Sequence, residues 1–184
     1  MRHVGALALG VLFLAQPLAA APGEKVIALP DNADTIVIPA ASTLHLRGVT
    51  KDYTVNFDGP VEISGTYYYG ADVYDDGGSS TDPVLYLVLD KASLARLPRF
   101  GTRGQPGELY LTNEKDFAKA VIPPDDMKAA LRRGGKYAAG KADIWVDKFQ
   151  ASIECDAPNF TAHFLSVAHA PLRVALANAP DVGC

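Results

Sequence analysis

Between Asp52 and Gly70 the sequence reads DYTVNFDGPVEISGTYYYG, and apolar and polar residues take turns through it. Tyr53, Val55 and Phe57 alternate with Thr54, Asn56 and Asp58. Past Gly59-Pro60, Val61 and Ile63 alternate with Glu62 and Ser64, and three consecutive tyrosines follow. A period of two puts every second side chain on the same face of an extended chain, so one face is dry and the other wet. A helix would scatter these residues around its axis. The Gly-Pro break predicts a hairpin of two half-buried antiparallel strands.

The rest of the chain repeats this kind of pattern. Thr35 to Ile38 is a short apolar strand stopped by Pro39, and Thr43 to Val49 reads as another. Val84 to Leu89, VLYLVL, is an unbroken apolar run between Pro83 and Asp90, which predicts a central strand buried on both faces. Glu108 to Leu111 is a short strand. Lys141 to Cys155 alternates through Ile144 and Val146, slips phase near Lys148, and resumes through Phe149, Ala151 and Ile153, the mark of a bulge. Asp156 to Asn159 is its turn, and Phe160, Ala162 and Phe164 open the second arm of a closing hairpin.

Helix is sparse. Asp125 to Arg133 follows Pro123-Pro124, starts with two aspartates, ends with two arginines and stops at Gly134-Gly135, which satisfies both the free backbone groups and the macrodipole. Lys91 to Leu97 suits a single helical turn. Residues 113–122 read equally as a helix capped by Asn113 or as a strand through Phe117, Lys119 and Val121. The fold class is therefore mainly β, an antiparallel barrel or sandwich with one short helix at about 125–133. Strands, then a helix, then a final hairpin resembles the order of an OB-type barrel, a likeness of fold that carries no function by itself.

The first twenty residues stand apart. Arg2, the uncharged apolar run from Val4 to Leu14, Pro17 and the small residues Ala19 to Ala21 form the pattern of a secretory signal peptide cut after Ala20. The run is shorter than the ~20 residues of a spanning helix, so no stable membrane insertion is expected after cleavage. Residues 21–184 are expected to form a single β-rich domain, periplasmic or secreted, by the usual ~100–200 residues per domain. Cys155 and Cys184 are the only cysteines, and an even count in an exported chain predicts a disulfide. It would pin the C-terminal tail and close a loop worth ~3–4 kcal/mol in the chain-entropy picture. The net charge of −4 becomes one unit more negative without Arg2, which argues against nucleic acid as a partner.

Candidate chemistry gathers at few places. Tyr67, Tyr68, Tyr69 and Tyr74 lie where a strand runs into a polar Gly/Ser/Asp loop, and aromatic rings there can hold a ligand; the alternative is that Tyr67 and Tyr69 pack in the core while Tyr68 covers the sheet. Trp145, the single tryptophan, is out of phase with Ile144 and Val146 and should face away from them. Asp72, Asp75, Asp76 and Asp82 offer oxygens that suit calcium, yet match no EF-hand spacing, so a solvated loop is the default. His45, His163 and His169 lack the spacing of a zinc site, and no metal or cofactor is expected. No nucleophile elbow is present: Ser64 in Ile-Ser-Gly-Thr lacks a strand-to-helix turn, and pairs drawn from Glu62, Glu108 and Glu154 are no more than any acidic chain offers. The expected function is non-catalytic binding of a protein or small ligand by an aromatic sheet edge and its loops. A small exported hydrolase with a dispersed His/Asp/Ser site is the rival; it gains if His45, His163 and an acid converge in one pocket and fades if they scatter. A structural component of an envelope assembly is the third reading.

Overall fold

Alternating residues become strands, and the longest of these strands close on one another. The computed structural model describes residues 21–30, 34–73, 79–101, 103–132, 136–154 and 157–177, with side chains set aside at 72–73, 79–82 and 173–176. The leader, Tyr74, Cys155, Cys184 with its tail, and most of the acidic loop lie outside the described residues.

In chain order the strands are β1 (Lys25–Ala28), β2 (Thr35–Ile38), β3 (His45–Val49), β4 (Val55–Asp58), β5 (Val61–Val73), β6 (Ser79–Leu89), β7 (Arg99–Phe100), β8 (Glu108–Leu111), β9 (Tyr137–Glu154) and β10 (Ala157–Ala177). Helix α1 (Lys91–Leu94) follows β6, and α2 (Glu114–Val121) and α3 (Pro124–Ala130) separate β8 from β9. Five strands close a barrel in the order β5–β6–β8–β10–β9 and back to β5. Every seam is antiparallel except β8 with β10, which run parallel through Tyr110 and Leu111 beside Thr161 and Ala162. Taken in chain order as first to fifth, these strands are Greek-key connected with α2 and α3 between third and fourth, an OB-like barrel. β3 and β4 extend the β9 side, and β1, β2 and β7 form a separate three-stranded sheet.

The lumen is filled, not open. Val61, Ile63, Tyr67 and Tyr69 of β5 point inward and are almost fully buried, as are Leu85, Leu87 and Leu89 of β6 and Ile144, Val146 and Phe149 of β9. Two aromatic groups dominate. Phe149 stacks on Phe160 and tilts against Phe57, with Phe100 beyond, while Phe117 of α2 meets Tyr67 and Phe164 edge-on. Each buried ring of this kind contributes about 1.5–3 kcal/mol by removal from water. Gly65 and Gly140 mark where the wall is coiled most tightly: a Cβ on Gly65 would stand 2.6 Å from the Val88 carbonyl oxygen, and one on Gly140 2.6 Å from that of Leu172. Only a residue without Cβ admits such an approach.

Several expectations change. Gly59-Pro60 is not a hairpin turn. β4 and β5 do not pair with each other; both lie antiparallel against β9, end to end, with the register offset by one residue between them. The chain kinks at Gly59 (φ +107) and keeps its direction, and the partner strand answers with Lys148 at φ +48, the bulge expected from its phase slip. β6 is not buried on both faces: Leu85, Leu87 and Leu89 are buried, but Val84, Tyr86 and Val88 are half-buried on the outer side. Among the described residues three short helices are present in place of one, and the expected helix runs Pro124–Ala130. Residues 113–122 resolve as helix because Phe117, Ala118 and Val121 share one buried face. Asn113 does not cap it by a side-chain bond; its amide instead accepts from the Phe164 N–H at 2.8 Å and donates to the Phe164 carbonyl at 3.0 Å, standing in for a strand partner on β10.

Candidate functional site on the outer barrel wall

The outward residues of β5, β6, β8 and β9 fall into rows that cross the wall. Tyr68 of β5 lies opposite Tyr86 of β6, and Tyr110 of β8, one residue past the Leu87–Leu109 pair, falls on the same outer side as Tyr86. Three tyrosines 18 and 24 residues apart in sequence thus stand side by side on three adjacent strands. Tyr110 is 43% exposed and Tyr68 and Tyr86 are half-buried. Tyr137 joins them from β9. Its ring lies across Gly70, where a Cβ would come within 3.0 Å, and packs 6.0 Å from the Tyr86 ring.

The neighbouring rows are polar. Glu108, Val88, Thr66 and Lys141 form one, and Ser64 with Asp143 and His169 the next. Ser64, Thr66, Val88, Asp90, Lys141 and Asp143 line a cavity of about 260 Å³. Its floor is fixed from behind by α1. The buried Ser93 hydroxyl accepts from the Ser64 N–H at 2.7 Å and donates to the Ser64 carbonyl at 3.1 Å, while Asp90 accepts from the Ser93 N–H at 2.8 Å and caps the helix. Beside the cavity, His169 Nδ1 stands 3.6 Å from a carboxylate oxygen of both Glu62 and Asp143. Trp145, opposite Glu62, is 37% exposed on the same wall while Ile144 and Val146 are buried behind it. At the other end, Tyr110 borders a second hollow of about 410 Å³ lined by Glu154, Pro158, Asn159 and Thr161.

Burial pushes the Glu108 carboxyl above its ordinary value, opposed by the Tyr110 hydroxyl that donates to it at 3.5 Å. Burial, and then the charge of Glu114, also raise the Tyr69 phenol, as expected for a ring inside the barrel.

The structure divides the sequence-predicted aromatics. Tyr67 and Tyr69 are 2% and 3% exposed and form the inner wall, so neither presents a face to solvent; Tyr68 and Trp145 lie outside. Tyr74 and the Cys155 and Cys184 pair lie outside the described residues. The histidines do not share a pocket. His45 is exposed on β3 opposite Asp58, and His163 lies 3.3 Å from the Thr112 hydroxyl and 3.4 Å from the Asn113 amide, away from His169. Among the described residues no group of three His, Cys, Asp or Glu side chains converges to hold a metal. Tyr86, Tyr110 and Tyr137 were not singled out from the sequence. Tyr86 is hidden inside an apolar run, and Tyr110 in a strand of four residues; reading VLYLVL as one-faced would have exposed the first.

Comparison of the chain with protein-family models, with curated proteins and with solved structures returns no match. The chemistry of the wall therefore rests on its own residues.

Proposed function

We propose that this chain is an exported, non-catalytic binding domain, periplasmic or secreted, that holds a protein or small-molecule ligand against the tyrosine-lined outer wall of its barrel. The observation that carries the reading is the row Tyr68–Tyr86–Tyr110, set beside a cavity whose polar side chains come from three different elements. Aromatic faces next to a few convergent polar groups are the usual make-up of a ligand site. The wall also coincides with the second- and third-strand face that OB barrels use for ligands, an analogy of fold that adds weight without naming the ligand. His45 and His163 lie apart, which weighs against a hydrolase site built on that pair. Export rests on the leader pattern of residues 1–20, and a Cys155–Cys184 bridge would suit that compartment.

Tyrosine-ring NMR of the mature chain, titrated with a panel of sugars, peptides and small metabolites, tests the site. A bound ligand should move the resonances of Tyr68, Tyr86 and Tyr110 and leave those of Tyr67 and Tyr69 in place. A ligand whose shifts map instead to a separate hollow, of about 370 Å³ and lined by Arg47, Thr50 and Asn56, or one that the protein turns over, overturns the reading.

A further inference from the structure

We infer that the ligand of the tyrosine wall is a neutral oligosaccharide of at least two sugar rings, an inference that rests on the binding role proposed above and narrows its chemistry. Strand spacing of ~4.8 Å puts Tyr110 and Tyr68 about 10 Å apart with Tyr86 between them, so the aromatic strip is elongated. It suits a chain of linked rings better than a single compact metabolite. A sugar ring has an apolar C–H face and a rim of hydroxyls, and the wall is divided in the same way. Tyrosine rings occupy one row, and hydrogen-bonding groups occupy the two rows beside it.

Those groups match hydroxyls in kind. Ser64 and Thr66 can donate and accept, Lys141 donates, and Asp143 and Asp90 accept. A sugar hydroxyl needs both a donor and an acceptor nearby, and the cavity supplies them within one lining. Lys141 forms no ion pair among the described residues, so its ammonium is available to a neutral acceptor.

Charge decides against the anionic classes. Asp90 and Asp143 line the cavity with Lys141, and Glu108 lies at the far end of the Lys141 row, beyond Thr66 and Val88. A net acidic strip repels phosphates, acidic sugars and nucleic acid, whose binding draws on basic surfaces. A cationic peptide would be attracted, but it would be held chiefly by ion pairs and would be released by salt. A neutral sugar would not.

Calorimetry on the mature, oxidised chain separates these cases, with cellotriose and chitotriose as probes and tetralysine as the competing ligand. A trisaccharide should bind at least about tenfold more tightly than its monosaccharide. Tyr86→Ala and Tyr110→Ala should each weaken it by about tenfold, the size of one lost aromatic contact. Tyr110→Phe, which keeps the ring, should bind within about threefold of wild type. Raising salt from about 50 to 500 mM should change the affinity less than about twofold, since no counterions are released. Unchanged melting temperatures of the apo variants show that the barrel is intact. If neither trisaccharide binds at millimolar concentration and tetralysine binds in a Tyr110-dependent way, the sugar assignment falls and the tyrosine wall stands. If a trisaccharide binds and both alanine variants bind it as well as wild type, both fall.

Discussion

Replacing Gly65 with alanine tests whether this barrel is closed as tightly as its geometry requires. Gly65 lies on the inner side of β5, between Leu89 of β6 and Ala142 of β9. An added Cβ would stand 2.6 Å from the Val88 carbonyl oxygen and 3.2 Å from Leu87 Cδ1. The leucine methyl can turn aside, but the carbonyl belongs to the ladder that joins β5 to β6. Reaching the ~3.3–3.6 Å of an ordinary C–H···O contact would require the two backbones to part by roughly 0.7 Å. Overpacking of this kind costs about 1–3 kcal/mol. The loss of glycine's freedom in the unfolded chain returns about 0.4–1 kcal/mol. The net expectation is a destabilisation of about 1–2 kcal/mol, or a fall in melting temperature of roughly 2–8 °C for a chain of this size. Gly48 on β3 is the control: nothing lies within 4 Å of its added Cβ, so Gly48→Ala should be neutral or stabilising by up to about 1 kcal/mol. Urea denaturation of both variants and wild type, followed by near-ultraviolet circular dichroism, measures the difference. A Gly65→Ala protein as stable as wild type, or a Gly48→Ala protein as weakened as Gly65→Ala, would refute the reasoning.

Other substitutions probe the remaining supports. Ser93→Ala leaves the Ser64 N–H and carbonyl without the buried hydroxyl that serves both, and should cost about 1–3 kcal/mol in the same denaturation assay. Phe149→Ala removes the ring shared by Phe57 and Phe160 and should cost about 3–5 kcal/mol, against a much smaller loss for exposed Leu172→Ala. Glu108 gives a pH signature. Its folded-state pKa is raised by burial, so it favours the fold below its ordinary 4.5 and loses that contribution as pH rises through the raised value. Glu108→Gln should therefore be more stable than wild type at neutral pH, and the gap should close in acid; thermal melts across pH would show the opposite trend if the carboxylate were held by a cation. If the chain is exported as proposed, non-reducing mass spectrometry should find no free thiol at Cys155 or Cys184.

That Tyr67 and Tyr69 belong to the filled interior was decided by the barrel. The alternation around Val55, Phe57, Val61 and Ile63 was enough to say that the chain is β and that one face of each strand is dry, because the side-chain direction of a strand depends only on its period of two. The phase slip at Lys148 was legible for the same reason. Which strands would touch was not. Gly59-Pro60 has the composition of a turn, and only the length of β9, which accepts β4 and β5 in succession, made it a kink instead. VLYLVL carries no alternation, so only the fold showed that Leu85, Leu87 and Leu89 point into the barrel and Val84, Tyr86 and Val88 out of it. Tyr68, Tyr86 and Tyr110 are far apart along the chain, and no local pattern links them. Their row comes from the registers of two ladders, a long-range property set by how the barrel closes.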